Sequence, residues 1–149
     1  MSLCALCVRA NEASLTGKNY AWKSDNAFVK VSCKDSCKAF TLVEDNLTTE
    51  FHLPKHIHKE HTETFYVVSG KVEFILEDRT EILVAGDTLH VPRSVPHEVK
   101  CVEPCKMLTI YEPGGLEDLF EAYLNMTPEE MSNPIKLKEI EDSYDSIKL

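Results

Sequence analysis

The stretch that decides the fold runs from His56 to Gly70 and reads HIHKEHTETFYVVSG. Its histidines His56 and His58 stand two positions apart, and side chains two positions apart on a strand point to the same face. A carboxylate, Glu63, follows five positions after the second histidine. Because imidazole and carboxylate groups together suit a divalent transition metal, the pattern predicts a metal site. The best candidate for a fourth ligand is His97, which ends the segment GDTLHVPRSVPH.

Other side chains near this stretch leave alternatives open. Glu60 and His61 lie between the candidate ligands, and either could replace Glu63 if the loop folded differently. Otherwise we expect these two residues to face solvent or to orient the ligands. His52 and His90 are expected to be polar residues with hydrogen-bond partners rather than ligands. The alternative to a metal site is a polar loop of solvated histidines.

Short apolar segments separated by turn residues continue on both sides of this stretch. Asp45 and Asn46 are typical turn residues, and Gly70 is expected to end a strand. Because many short strands follow one another without intervening helices, the pattern indicates an antiparallel sandwich or barrel. The predicted strands cover residues 27–31, 39–44, 47–53, 63–69, 71–76, 80–84, 88–91, 97–102 and 106–111.

The pattern changes from strands to helices after the sequence Pro-Gly-Gly at 113–115. Apolar residues within 116–124 recur at the spacing of one helical face. Thr127 and Asn133, each followed by proline, are signals for the start of a helix. We expect these helices to pack outside the barrel or across a partner subunit. The predicted divisions are an N-terminal arm (1–25), a β-barrel (26–112) and a C-terminal helical extension (113–149).

Composition limits the functions open to the chain. It has 149 residues, 43% of them hydrophobic, and a net charge of −9. This length suits one domain with a sizeable core. The negative charge argues against binding to nucleic acid or to an anionic membrane. No apolar run is long enough to span a bilayer, and the apolar start is short for an export signal, so we expect a cytoplasmic protein.

Six cysteines require an explanation. Without an export signal, free thiols are expected rather than disulfides. Cys101 and Cys105 are too far apart to bridge within one strand, although a turn at Pro104 would allow it. Cys4 and Cys7 have the spacing of half a zinc site, but a second half is missing from the sequence. Small buried packing residues are therefore the simpler interpretation.

Strand parity proposes a substrate pocket beside the metal. Side chains that share a face with Glu63 or His97, together with those of the last strand, would line its wall. Such a wall is mostly apolar, as is usual for small-molecule sites, and the alternative is ordinary barrel core. The predicted lining residues are Phe65, Val67, Val99, Cys101, Met107, Thr109 and Tyr111.

Two motifs in the chain resemble those of the cupins. The first cupin motif is G-x5-H-x-H-x(3,4)-E-x6-G, and the second is G-x5-P-x-G-x2-H-x3-N. Three positions depart from them, with Glu50 and Ser94 in place of glycines and Cys101 in place of asparagine. The matching residues, which include all four metal-ligand positions of the family, are His56, His58, Glu63, Gly70, Gly86, Pro92 and His97.

The wider pattern is similar to the quercetinase-like single-domain cupins. This resemblance implies an all-β fold, namely a single-domain cupin barrel (a double-stranded β-helix, or jelly roll) with short C-terminal helices, and a homodimer. It also implies that the four motif ligands bind one divalent transition metal ion, which could be iron, manganese, nickel, copper, cobalt or zinc. The similar segments are FTLVE (40–44), ETFYVVSG (63–70), PRSVPH (92–97) and PGGLE (113–117).

The leading functional hypothesis from this resemblance is a metal-dependent, dioxygenase-type enzyme that acts on a small organic substrate. Glu63 would be its catalytic residue, able to leave the metal and act as a base. Cupins also include isomerases, decarboxylases and binding proteins, and the fold alone does not choose among them. A non-catalytic cupin that binds a small molecule and a sugar isomerase-type cupin therefore stay open, although a sugar site would need more inward polar groups.

Overall fold

The computed structural model describes residues 4–149, and within that range the chain forms nine strands and three short helices. No helix lies between the first eight strands, as the sequence pattern predicts. The helices are α1 (Glu117–Leu124), α2 (Pro128–Met131) and α3 (Pro134–Ser143). The strands are β1 (Asn19–Ala21), β2 (Asp25–Val31), β3 (Thr41–Leu47), β4 (His52–Ile57), β5 (Thr62–Leu76), β6 (Thr80–Val84), β7 (Thr88–Val91), β8 (His97–Glu112) and β9 (Ile147–Lys148).

The strands form two sheets that share the long strands β5 and β8. The first sheet has the order β1-β2-β3-β8-β5-β7 and uses the C-terminal half of β8 and the N-terminal half of β5. The second sheet has the order β9-β4-β8-β5-β6 and uses the other halves. All of these pairings are antiparallel, and over residues 4–149 they do not close into a ring. The fold is therefore the predicted jelly roll, in the form of an open sandwich.

The two long strands pair along most of their length, and both bend near the middle. The register shifts between Val67 and Val72, and the buried positions of β5 change there from odd-numbered to even-numbered residues. Gly70 lies at this bend with φ +84°, and a Cβ added to it would come within 2.2 Å of the Pro104 carbonyl oxygen. Position 70 therefore has no room for a side chain. The strand end predicted at Gly70 and the separate strands predicted around Pro104 are wrong, because β5 and β8 continue through the bend.

The turn predicted at Asp45 and Asn46 is also wrong. Both residues lie inside β3, which pairs with β2 on one side and β8 on the other. The chain turns only after β3, at 48–51, so the predicted strand 47–53 is divided between β3 and β4. Pairing on both sides of β3 outweighs the local turn preference of aspartate and asparagine.

Two apolar clusters fill the space between the sheets. The smaller one extends to α1, where the Phe120 ring lies 5.6 Å from Tyr20 and 5.7 Å from Trp22 between centroids. This helix therefore packs against the open end of the sandwich. The larger cluster includes Val67, Val72, Phe74, Cys101 and Cys105, and the smaller includes Tyr20, Val29, Val43, Tyr111 and Leu116.

Cys101 and Cys105 pack in the larger apolar cluster, whereas Cys4, Cys7 and Cys37 are exposed. The buried packing role expected of Cys4 and Cys7 is therefore wrong. Cys101 and Cys105 are buried free thiols, so the disulfide considered between them does not form. Cys7, Cys33 and Cys37 are also free thiols. Over the described residues, none of the helices combines the length and the apolar character needed to cross a bilayer.

We predict that Gly70→Ala destabilises the protein more than Gly86→Ala. Both glycines have positive φ, +84° and +93°, where alanine is strained by about 1–2 kcal/mol. Only at position 70 would the added methyl group also collide with backbone, since position 86 is open. Urea unfolding should show a loss of about 1 kcal/mol for Gly86→Ala and about 3 kcal/mol or more for Gly70→Ala. Equal losses would contradict the close crossing of β5 and β8.

Candidate metal centre

Four buried polar side chains meet between the two sheets, and they are the four that the motif spacing selects. His56 and His97 are directly opposite each other on β4 and β8, with ring centroids 4.2 Å apart. His58 follows the end of β4, and Glu63 is the second residue of β5. One nitrogen or oxygen atom from each of the four lies within 4.8 Å of the others, as binding to a single ion requires.

The bend in β5 and β8 brings Glu63 to His97. Glu63 pairs with Tyr111 at one end of the two-stranded β5–β8 ribbon, whereas His97 pairs with Leu76 at the other end. A straight strand from Glu63 to Leu76 would be about 43 Å long. In the folded chain, Glu63 Oε2 lies 2.6 Å from His97 Nε2. The ribbon therefore folds back on itself, and its two ends face each other across the interior.

Backbone carbonyl groups fix the orientation of the three imidazole rings. In His56 and His97, Nδ1 donates to the carbonyl oxygen two residues earlier, at 2.8 and 3.0 Å. Nδ1 of His58 donates to the carbonyl oxygen of Asp145, at 2.5 Å. Because a carbonyl oxygen can only accept, each Nδ1 carries the proton. Each Nε2 therefore presents its lone pair to the centre of the cluster.

These lone pairs make the centre of the cluster suitable for a cation. Nε2 of His56 and Nε2 of His58 are both buried without a hydrogen-bond partner among the described residues. Nε2 of His58 and Nε2 of His97 approach the same Glu63 oxygen, at 3.2 and 2.6 Å. Acceptors that face each other in a buried site are unfavourable unless a proton or a metal ion lies between them. Three imidazoles and one carboxylate fit a divalent transition metal, although they do not specify which one.

The pKa values of the cluster follow from burial and from this mutual attraction. Burial raises the pKa of Glu63, but attraction to His58 and hydrogen bonds from the imidazoles outweigh it and hold the pKa well below its usual range. Burial and repulsion from His97 lower the pKa of His56 to about 3, so this ring is neutral at neutral pH. Burial also lowers the pKa of His58, yet the Glu63 carboxylate raises it overall.

The segment after α3 positions one side of the cluster. The Asp145 carboxylate accepts hydrogen bonds from the backbone N–H groups of Lys59 and Glu60, at 2.7 and 2.9 Å, and from His61 Nδ1 at 2.8 Å. Its backbone carbonyl is the acceptor for His58. Glu60 and His61 therefore order the loop and are not members of the ligand cluster. The sequence pattern does not reveal this role, because the contacts join residues 84 to 87 positions apart.

A cavity of about 550 Å³ opens on the cluster. This volume is typical of small-molecule sites. The wall is mostly apolar and aromatic, and α1 contributes Phe120 and Tyr123 to it. The helices are thus part of the cavity and do not only cover the outside of the fold. Of the predicted pocket residues, Phe65, Val99, Met107, Thr109 and Tyr111 line the cavity, whereas Val67 and Cys101 lie in the adjoining apolar cluster.

The cavity wall also contains two carboxyl groups that the sequence pattern did not reveal. Asp25 begins β2, and its carboxyl contacts that of Asp45 in β3. Asp45 Oδ2 in turn accepts a hydrogen bond from Thr109 Oγ1 at 2.9 Å. Burial raises the pKa of both carboxyl groups, and the charge of Asp45 raises that of Asp25 further. Asp45 lies two and four positions after Val43 and Thr41, so alternation along β3 places the three side chains on the same face. This signal was missed because the sequence pattern predicts a turn at Asp45.

The remaining candidates from the sequence lie outside the cluster. His52 Nε2 contacts the Glu98 carboxylate, and His90 Nδ1 lies 2.7 Å from Thr64 Oγ1. Both histidines thus have the polar partners expected of them. Over residues 4–149 the His56–His97 cluster is the one group of three or more potential ligands found, and neither Cys4 nor Cys7 belongs to it.

Comparison with known sequences places the cluster in a recognised domain. Residues 48–111 match the family described as Cupin domain. Quercetin 2,3-dioxygenase from Aspergillus japonicus is 34% identical over 90 residues, which are 55% of this chain and 26% of that protein. The protein of the same name from Bacillus subtilis (strain 168) is 35% identical over 66 residues, 44% of this chain and 20% of the relative. The chain therefore covers about a quarter or less of the relatives that it matches.

Solved structures share the fold at low sequence identity. KdgF from Halomonas sp. matches with a TM-score of 0.58 and 19% identity, over 66% of this chain and 88% of that chain. Ectoine synthase from P. lautus matches with a TM-score of 0.57 and 17% identity, over 65% of this chain and 70% of that chain. At these identities the similarity shows the fold alone.

We predict that the protein, produced without a histidine tag, binds one divalent transition metal ion per chain. His58→Ala and His97→Ala should each lower metal affinity by at least about tenfold, because each removes a lone pair from the centre. His90→Ala is the matched control, since its imidazole lies outside the cluster. Elemental analysis after dialysis measures the result. Unchanged metal content in His97→Ala would contradict its assignment as a ligand.

A second prediction concerns the segment after α3. Asp145→Gly keeps the backbone carbonyl that orients His58, and glycine suits the φ of +59° at this position. The change removes three hydrogen bonds to the loop, so we expect a loss of about 2–4 kcal/mol in the free energy of unfolding. Metal affinity should fall by about tenfold or more as the loop loses its order.

Asp145→Asn serves as the comparison for this variant, because asparagine tolerates positive φ and retains one acceptor oxygen. Its effect on stability and on metal affinity should be intermediate. Urea unfolding and competition with a chelator measure the two quantities. Wild-type metal affinity in Asp145→Gly would show that the carboxylate does not support the centre.

Proposed function

Because residues 48–111 match the Cupin domain family, we propose that the chain is a metal-dependent, dioxygenase-type enzyme that acts on a small organic molecule. The observation that carries the proposal is a four-ligand cluster that opens onto a largely apolar cavity. The similarity to two quercetin 2,3-dioxygenases supports this class of reaction. In this proposal the three histidines and the glutamate of the cluster hold one divalent ion.

The cluster leaves room for a substrate. Three imidazoles and one carboxylate do not fill a five- or six-coordinate shell, so one or two positions would stay open. A bound ion would supply Lewis acidity that lowers the pKa of a substrate hydroxyl group. The aromatic and aliphatic wall, which includes Phe65 and Phe120, would exclude water and favour a planar, largely apolar substrate.

Glu63 is the residue that we assign as the base. Its carboxylate lines the cavity and is ionised at neutral pH, so it is able to accept a proton from a substrate hydroxyl. Its Oε2 atom lies 2.6 Å from His97 Nε2 and 3.2 Å from His58 Nε2. The second carboxylate oxygen is the one left to take the proton.

Oxygen consumption with quercetin tests the proposed function. The protein would be loaded in turn with iron, manganese, cobalt, nickel, copper and zinc. A dioxygenase consumes one O₂ per substrate molecule, and under ¹⁸O₂ both labelled atoms appear in the products. We expect Glu63→Gln to lower the turnover by about 10²–10⁴-fold, the usual contribution of a general base, and His90→Ala to leave it unchanged.

Two results would contradict parts of this proposal. Binding of metal and of quercetin without any oxygen uptake would identify a non-catalytic binding protein. Wild-type turnover in Glu63→Gln would remove Glu63 from the role of base and leave the metal-dependent reaction in place.

A further inference from the structure

A row of polar side chains crosses the inner face of the first sheet. Its members are Asp25 on β2, Asp45 on β3, Thr109 on β8 and Glu63 on β5. Each member of the row lies two positions along its own strand from the residue that pairs with the previous member. Residues related in this way are diagonal neighbours on antiparallel strands, and their side chains lie close together. All four residues line the same cavity, and the row ends in the metal cluster.

The Asp25 end of this row is an acidic pair without a cationic partner. Asp45 accepts a hydrogen bond from Thr109 and contacts the carboxyl of Asp25. Two adjoining buried carboxyl groups cannot both be ionised at low cost, so one proton remains on the pair. Among residues 4–149, no salt bridge joins either carboxyl to a lysine, arginine or histidine.

Asp25 also has an unused acceptor. Its Oδ1 atom is buried and receives no hydrogen bond from any N–H or O–H group of the described residues. An unpaired buried acceptor is unfavourable, and a donor supplied by a bound molecule would remove that penalty. The residue lies in the wall of the cavity, where such a molecule would bind.

We propose that Asp25 and Asp45 form a specificity-determining subsite, in which the Asp25 carboxyl accepts a hydrogen bond from an O–H or N–H group of the bound molecule. The ligand class is then a small organic molecule with an oxygen directed to the metal cluster and a separate donor group directed to Asp25. Ligands with an anionic group at that end are disfavoured, because the pair carries one negative charge. The inference rests on the proposed function in one respect, since it requires a small organic molecule in the cavity.

A matched pair of variants separates the hydrogen bond from the shape of the wall. Asparagine resembles a protonated aspartate, since its amide N–H can donate to Asp45 while its carbonyl oxygen still accepts. Asp25→Asn should therefore preserve the subsite. Leucine has a similar size but no acceptor, so Asp25→Leu should abolish it.

The probes are quercetin and 3-hydroxyflavone. Both carry the adjacent hydroxyl and carbonyl oxygens that suit a metal ion, but only quercetin has further phenolic hydroxyl groups. Affinities would be measured by isothermal titration calorimetry with metal-loaded protein in the absence of dioxygen, so that no turnover occurs. Trp22, the single tryptophan of the chain, lines the cavity and provides an independent fluorescence signal.

We expect the wild type and Asp25→Asn to bind quercetin about tenfold more tightly than 3-hydroxyflavone. This ratio is what one additional hydrogen bond to a charged group contributes to affinity. Asp25→Leu should bind the two probes about equally, because it lacks the acceptor that distinguishes them. Circular dichroism verifies that each variant is folded, and Asp25→Ala replaces the leucine variant if that one does not fold.

Three results would overturn the inference. A wild type without a preference between the probes would do so, as would a folded Asp25→Leu that keeps the preference. Both of these leave the proposed function intact, because oxygen uptake is measured separately. Failure of the wild type to bind either flavonoid would overturn the proposed function on these substrates and the inference together.

Discussion

The pairing of β5 with β8 is the constraint on which the rest of the structure depends. Because the two backbones cross at Gly70 without room for a side chain, the ribbon bends there and its ends meet. Glu63 and His97 belong to opposite ends of this ribbon, yet they are in direct contact. The meeting of the three histidines and Glu63 is therefore a consequence of how the sheet folds.

The interior combines two polar sites with an apolar space between them. The histidine cluster is oriented by backbone carbonyls, and the acidic pair is held by Thr109, so both sites are built on rigid strands. A metal ion bound only by the folded chain would also stabilise the fold by mass action. The distance between the two polar sites then limits the length of the molecules that can satisfy both.

The fold and the ligand cluster could be predicted from the sequence because their signals are local. His56 and His58 show the period of a strand, and His97 follows a proline-rich loop that sets its position. The acidic pair could not be predicted, because Asp45 has turn chemistry and becomes a strand residue only through pairing on both sides. Asp145 carried no local signal, since its contacts reach across more than eighty positions of the chain. Long-range pairing decided each of these cases.

The dependence of His58 on Asp145 sets an order of events during biosynthesis. His56 and His97 are oriented by carbonyl groups two residues away, so their rings can be fixed as soon as their own strands pair. The ring of His58 acquires its acceptor only when the ribosome has synthesised residue 145 and α3 has docked. The nascent chain can thus pair β1 to β8 before it orients the last ring of the cluster. A premature stop between α1 and Asp145 would yield a chain with β1 to β8 but without β9 and without the carbonyl group that orients His58.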